Sequence, residues 1–397
     1  MFLPGDADQA ILASLGPRPG TEHVDLREAQ GRVLAADIHG DIDQPPFDRV
    51  AMDGIAIQAA RYAGGQRRFR IAHTQAAGSA PRDLTDGEAC IEIMTGAALP
   101  PGVDAVIPVE RLRIADRLAE VDDGLTVVPS ANVHPRGSDQ RAGDRVLAAG
   151  TRLGAPEIAI LASAGAARVP VTRQPRVAVI STGDELVDPA AVPLPWQVRR
   201  SNVFAMLAAL SARGYRAVSD HHLADELPEI TARLAALLPT VDVLVLSGGV
   251  SAGLFDHVPA ALAAAGVEQI FHKVAQRPGR PLWFGRARSG CLVFGLPGNP
   301  VSTLICLTRY VLPTLARLEG APEQVARIPL AARVASLREL SLFMPVTRRG
   351  GPAGDEAVPR PTHGSGDFSS LAGTTGFVEI GPQAAAEAGS LAPIYHW

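Results

Sequence analysis

The 397-residue chain is poor in cysteine and in aromatic residues, and it has almost no lysine. Its three cysteines, Cys90, Cys291 and Cys306, lie far apart and form no CxxC pair. That excludes a disulfide framework and a cysteine zinc site, and it points to a reducing, cytoplasmic compartment. Each cysteine reads as a small buried hydrophobe. There is no HExxH motif, and His221-His222 has no carboxylate or cysteine at ligand spacing, so the pair reads as part of a surface loop. No apolar run reaches the roughly 18 residues of a membrane span. The N-terminal MFLPGDADQA has acidic residues and no basic region, so no signal peptide is expected. A net charge of −4 argues against a nucleic-acid or general polyanion partner.

The shortage of lysine is the most informative absence. Of 37 basic residues, all but Lys273 are arginine. Arginine is a planar fork, whereas lysine is a compact charge whose pKa can be tuned. A lysine kept alone is therefore a candidate for a site that needs an ammonium.

What is present is an ordinary globular composition, 47% hydrophobic and 20% charged, long enough for roughly two to four domains. From about Arg176 to Gly320 the pattern alternates strand, loop and helix. RVAVIS (176–181), DVLVLS (242–247) and CLVFGL (291–296) read as buried strands. Helices are expected over 201–213 with Ser201 as N-cap, near 257–265, and from Pro300 to about Glu319 with Asn299 as cap. Such alternation predicts a parallel sheet whose ligands bind beyond the C-terminal strand ends. The flanking regions differ. Residues 1–36 suggest helices at DADQAILASL and DLREAQGRVLA, and 45–136 holds short β-like runs. Residues 142–165 read as a turn, a strand and a helix. A small β-domain closes the chain, and RRGGPAGDEAVPRP (348–361) reads as turn or loop.

Three loops should meet at the strand ends. Ser247-Gly248-Gly249-Val250-Ser251 follows one strand, and its consecutive small residues let backbone N–H groups face a single anion. Asp256, shortly after, would repel a bare phosphate. It either holds a Mg²⁺ between itself and phosphate oxygens or caps the next helix. Gly295-Leu-Pro297-Gly298-Asn299-Pro-Val-Ser302 is either a second cradle or a well-capped turn. Ser181-Thr-Gly-Asp184-Glu185 brings acids that could bind metal, accept from ribose hydroxyls, or simply face solvent. Lys273, Arg277 and Arg280 cluster around a Pro-Gly-Arg-Pro turn and suit a multiply charged substrate or an oxyanion.

Taken in order, the motifs resemble the molybdopterin molybdenumtransferase family, which includes the C-terminal domain of gephyrin-type proteins. The carriers are Phe47-Asp-Arg-Val-Ala-Met-Asp53-Gly54, Met94-Thr95-Gly-Ala97 with Leu99-Pro-Pro-Gly-Val-Asp-Ala105, Arg136-Gly-Ser-Asp139, the three strand-end loops, and Gly364-Ser365-Gly-Asp-Phe-Ser-Ser370. The resemblance spans nearly the whole chain. It implies a multidomain α/β and β protein. Residues 1–44 and 137–171 would form a mixed N-terminal dimerisation domain, and 45–136 an inserted β-rich domain. Residues 172–321 would form a doubly wound, adenylyltransferase-like α/β molybdopterin-binding domain, and 322–397 a small β-barrel-like domain.

The resemblance also implies a cytoplasmic homodimer that uses Mg²⁺, molybdate and adenylylated molybdopterin and releases AMP. Its partners would be molybdopterin adenylyltransferase and the recipient molybdoenzymes or their chaperones. By the same carry-over, Asp53, Asp139, Glu185, Asp225, Asp256 and Lys273 would be catalytic, with Asp256 and Glu185 holding metal. Thr95, Arg136, Ser247, Gly248, Gly249, Ser251, Arg277, Arg280, Pro297, Gly298, Asn299, Ser302 and Ser365 would bind substrate. The chain departs from the family at Arg277 and Arg280, where lysines are common, at Arg49-Val50 and Ile55, and at Pro345, where an arginine is frequent. These departures leave two alternatives, a molybdopterin adenylyltransferase and a non-catalytic cofactor carrier or scaffold.

Overall fold

The computed structural model describes residues 1–250, 257–322, 324–351, 354–383 and 386–397. It divides into two compact units. One comprises Met1–Ala35, Gly150–Gly154 and Val169–Trp397; the other comprises Ala36–Ala149 and Ala155–Arg168.

The larger unit is built on a six-stranded sheet. In chain order its elements are β1 (Val177–Thr182), α1 (Ser201–Ala212), β2 (Val218–Leu223), α2 (Leu227–Leu237), β3 (Val243–Ser247), α3 (Val258–Ala264), β4 (Val267–His272), β5 (Trp283–Ala287), β6 (Leu292–Leu296) and α4 (Pro300–Cys306). The strand order is β2-β1-β3-β6-β5-β4. β2, β1, β3 and β6 run parallel, as the alternation predicts, while at one edge β5 runs antiparallel between β6 and β4.

Helices cover both faces. Val177, Val179, Val243 and Val245 point into one core with α1 and α4; Ala178, Ile180, Leu244 and Leu246 point into the other with α2 and α3. Strands buried on both sides must read as unbroken apolar runs, and these do. His221 and His222 belong to edge strand β2 rather than to a loop. Ser201 opens α1 as its first helical residue, so it is not the cap.

The helix after β6 continues in the same direction through a π-helical segment, Leu307–Val311, into Leu312–Leu318. Arg309, in that segment, is almost fully buried. It donates to both oxygens of Asp8 at 2.8 Å and to Glu379 at 2.9 Å, so one guanidinium ties the N-terminal helix and the last β-domain to the α/β core. The N-terminal helix Pro4–Ala13 is present as read, but DLREAQGRVLA forms only a 3-10 turn, Leu26–Glu28. There Gly31 adopts φ +77°, which halts any continuation.

The closing β-domain pairs Ser341–Gly351 with Gly354–Pro359 and Gly376–Ile380, and the sheet extends through Leu391–His396 to Arg327–Pro329. The stretch 348–361 is therefore mostly a hairpin arm and not loop. Arg348 with Asp355 and Arg349 with Glu356 bridge its two strands, an opposite-charge pairing that composition alone conceals.

The smaller unit carries its own six-stranded sheet, ordered Ala105–Pro108, Gly54–Ile57, Ala89–Ile93, Arg68–Gln75, Leu118–Val121 and Leu112–Ala115. Gly54 is obligatory there. A Cβ on it would sit 1.9 Å from the Ile107 carbonyl oxygen on the neighbouring strand. Among the described residues no helix is long and apolar enough to cross a membrane.

Candidate functional site

The three strand-end loops do meet. The Gly248 N–H donates to the Leu296 carbonyl at 3.2 Å, which joins the β3 and β6 ends. A Cβ on Gly248 would lie 2.9 Å from the Thr182 carbonyl oxygen, and one on Gly298 would lie 3.6 Å from the Gly248 Cα. Gly248 and Gly249 have φ of +102° and +65°, so glycine is needed here for conformation as well as for space. The result is a floor of bare backbone at the C-terminal ends of β1, β3 and β6.

Two residues of this floor escaped the sequence reading. Asn202, in the first turn of α1, donates from Nδ2 to Ser247 Oγ at 2.9 Å and to the Gly298 carbonyl at 2.8 Å. It stitches two cradles together, and its Oδ1 has no partner among the described residues. Thr182 is buried beneath the two glycines, and its hydroxyl has no partner among the described residues. A buried polar atom left unsatisfied calls for an explanation, and here two of them share one strand-end floor. No periodicity signals either residue, because both act through tertiary contacts.

Beside this floor opens a cleft of about 640 Å³. Arg277, Arg280, Pro297, Asn299, Ser302 and Ser365 all line it, so six of the predicted substrate-binding residues share one space. Leu342, Phe343, Met344 and Pro345 form an apolar wall from the β-domain. Asn299 was read as a helix cap, but it makes no side-chain cap. Its Nδ2 donates instead to Ser365 Oγ at 2.8 Å, while the Val301 N–H takes the Ser365 carbonyl. Arg277 and Arg280 are exposed, and neither has a carboxylate partner among the described residues. Lys273 does not line the cleft. It follows His272, whose Nε2 meets the Val250 carbonyl at 2.9 Å, and its own backbone is held at φ +74°. A lysine in that region is strained, which marks a position determined by its surroundings.

A carboxylate cluster forms at the neighbouring strand ends. The Asp225 N–H donates to Asp184 at 3.1 Å. Glu185 folds back so that its oxygens lie 2.6 to 2.8 Å from where a Gly183 Cβ would stand. Burial, then the charges of Asp184 and Glu185, push the Asp225 carboxyl above its usual range. Carboxylate oxygens are the donor type Mg²⁺ takes, but among the described residues no group of three or more such side chains is arranged to hold a metal ion. Asp256 and Ser251 lie outside the described residues.

The remaining predicted residues belong to the smaller unit. Asp53 Oδ1 accepts from both the Thr95 hydroxyl and the Thr95 N–H at 2.7 Å, and these bonds hold its carboxyl below the usual range. Arg136 donates to Asp43 at 2.7 Å from Nε, and to Asp48 at 2.8 Å from its backbone. Asp139 pairs with His134 at 3.1 Å. Asp43, Asp48 and His134 thus join the set; the sequence carries no spacing that links them to their partners.

Bare backbone, hydroxyls and guanidiniums without a carboxylate partner among the described residues gather beyond the strand ends, the place where proteins with such parallel sheets bind their ligands. Family comparison narrows that class. Residues 4–165 match the MoeA N-terminal region (domain I and II), and residues 178–317 match a probable molybdopterin binding domain. The chain is 39% identical to a molybdopterin molybdenumtransferase of Synechocystis over 98% of both chains. It is 34% identical to one of Haemophilus influenzae, over 81% of this chain and 78% of the relative. A crystal structure of the molybdopterin biosynthesis MoeA protein of Pyrococcus horikoshii superposes over all of both chains with a TM-score of 0.84 at 28% identity. The chain belongs to the molybdopterin molybdenumtransferase family.

Proposed function

We propose that this chain inserts molybdenum from molybdate into adenylylated molybdopterin and releases AMP. The observation that carries the reading is the single cleft in which Arg277, Arg280, Asn299, Ser302 and Ser365 converge beside the glycine floor. Breaking a phosphoanhydride needs charge neutralisation and alignment more than a covalent nucleophile. The floor takes phosphate oxygens on the backbone N–H groups of Gly249 and Gly298, while the Gly248 N–H holds the two strand ends together. Thr182 and Asn202 offer the unpartnered atoms that orient the ligand over it. Arg277 and Arg280 hold the oxyanion as planar forks in place of the family's ammonium groups. The apolar wall at Phe343, Met344 and Pro345 covers one side of the cleft and excludes water from it.

Glu185 and Asp225, with Asp184 and the Asp256 carboxylate, are the residues that would hold Mg²⁺. When bound it supplies positive charge beside the phosphates. Asp53 with Thr95, and Arg136 with Asp139, are the residues through which the smaller unit serves the reaction. The working assembly is a cytoplasmic homodimer organised in four domains. It receives substrate from molybdopterin adenylyltransferase and passes the cofactor to molybdoenzymes or their chaperones. AMP release from adenylylated molybdopterin tests the reaction. It is expected to need both Mg²⁺ and molybdate, and release indifferent to molybdate overturns the reading.

A further inference from the structure

The turn that carries Arg277 and Arg280 rests on a buried polar network that belongs to no loop motif. Gln276 is fully buried, as is Cys306, and Tyr310 is 1% exposed. The Gln276 side chain turns back beneath its own turn. Nε2 donates to the Pro278 carbonyl at 3.3 Å and to the Gly279 carbonyl at 3.2 Å, and it lies 3.4 Å from Cys306 Sγ. Oε1 accepts from the Tyr310 hydroxyl. Burial pushes the Cys306 thiol up to about 12, so it stays protonated and donates weakly to the Gly279 carbonyl at 3.6 Å. Gly279 has φ +93°, and a Cβ there would lie 2.6 Å from both Gln276 Nε2 and Cys306 Sγ.

We infer that Gln276 is a positioning residue for oxyanion binding: its carboxamide fixes the turn that aims Arg277 and Arg280 into the cleft. This rests on the reading of that cleft given above. The two arginines have no carboxylate partner among the described residues to orient them, so their direction is set by the backbone they stand on. That backbone pairs at Gln276–Arg277 with Ser341–Leu342, and the turn that follows it is pinned from below by a side chain that must donate to carbonyls and accept from a phenol at once. A carboxamide does both. A glutamate would set a carboxylate against two carbonyl oxygens, and a methionine would take the partner from the Tyr310 hydroxyl and the Pro278 carbonyl and leave the Gly279 carbonyl only the weak thiol bond. Tyr310 reaches Gln276 from the π-helical segment Leu307–Val311, a distortion frequent at functional sites.

The test measures binding of inorganic molybdate by calorimetry, together with steady-state AMP release, for the full chain and four variants. Gln276→Met should weaken molybdate binding about tenfold, the loss expected when such bonds are removed. It should raise KM for molybdate while kcat at saturating molybdate stays within about twofold. Tyr310→Phe should shift both in the same direction by less, and it serves as the probe should Gln276→Met fail to fold. Tyr215→Phe removes a comparable buried bond, to Glu319, elsewhere in the fold. It should lower thermal stability and leave molybdate affinity unchanged. Wild-type affinity in Gln276→Met or in a folded Tyr310→Phe, with Arg280→Met weakened, overturns the inference and spares the cleft reading. No effect from Arg280→Met overturns both.

Discussion

Asn299 Nδ2 donates to Ser365 Oγ at 2.8 Å, so the loop after β6 is tied to the closing β-domain at the rim of the cleft. Ser365→Ala removes the acceptor but keeps the backbone bond from Val301. The expected cost is about 1 kcal/mol in denaturant unfolding. KM for molybdate should rise more than KM for the adenylylated pterin, because the serine borders the space assigned to the oxyanion. Steady-state kinetics with each substrate varied in turn checks this.

Gly54 stands where the strand Gly54–Ile57 approaches Ile107 too closely for any Cβ. Gly54→Ala should force the two strands apart and cost about 2–3 kcal/mol or more. Asp53, next to it, would lose its hold on Thr95. Hydrogen exchange should accelerate across the smaller unit's sheet while β1, β3 and β6 of the larger unit stay protected.

Asp225 gives a pH-dependent prediction. Its carboxyl is raised in the folded protein by burial and by Asp184 and Glu185. An acid whose folded pKa lies above its unfolded value of about 3.9 binds more protons when folded, so stability falls as pH rises between the two. Without metal, Asp225→Asn should therefore raise Tm at pH 7. The gain should shrink as pH falls through the raised pKa and vanish below the unfolded one. With Mg²⁺ added the order should reverse, because the wild type gains a ligand-bound state that the variant lacks. Thermal melts across pH, with and without Mg²⁺, read both effects.

Much of this was legible in the sequence. A strand buried on both faces must be continuously apolar, and β1, β3 and β6 are each followed at once by glycine or by Pro297-Gly298, so both announce themselves locally. The reversed strand β5 and its edge partner β4 escaped because pairing direction is a tertiary property. Asn299 stands at the N-cap position as its place before a proline suggests, but its side chain makes no cap bond, and its Nδ2 donates to a serine 66 residues further on, a contact no local pattern encodes. Asn202 bonds Ser247 and Gly298, Gln276 bonds Tyr310, and Thr182 lies beneath Gly248 and Gly249; no spacing rule encodes contacts so distant in the chain. The hairpin over 348–359 was hidden because glycine, proline and charge resemble a loop until cross-strand pairing supplies the register.

The most direct measurement compares AMP release by the wild type and by the Arg277→Met, Arg280→Met double variant, with adenylylated molybdopterin and Mg²⁺ held saturating and molybdate varied. Release by the wild type should climb with molybdate, and the double variant should bind the pterin yet lose that dependence at the same molybdate concentrations. A molybdate response equal in the two proteins would contradict the account, since the oxyanion would then be held somewhere other than the arginine-lined cleft.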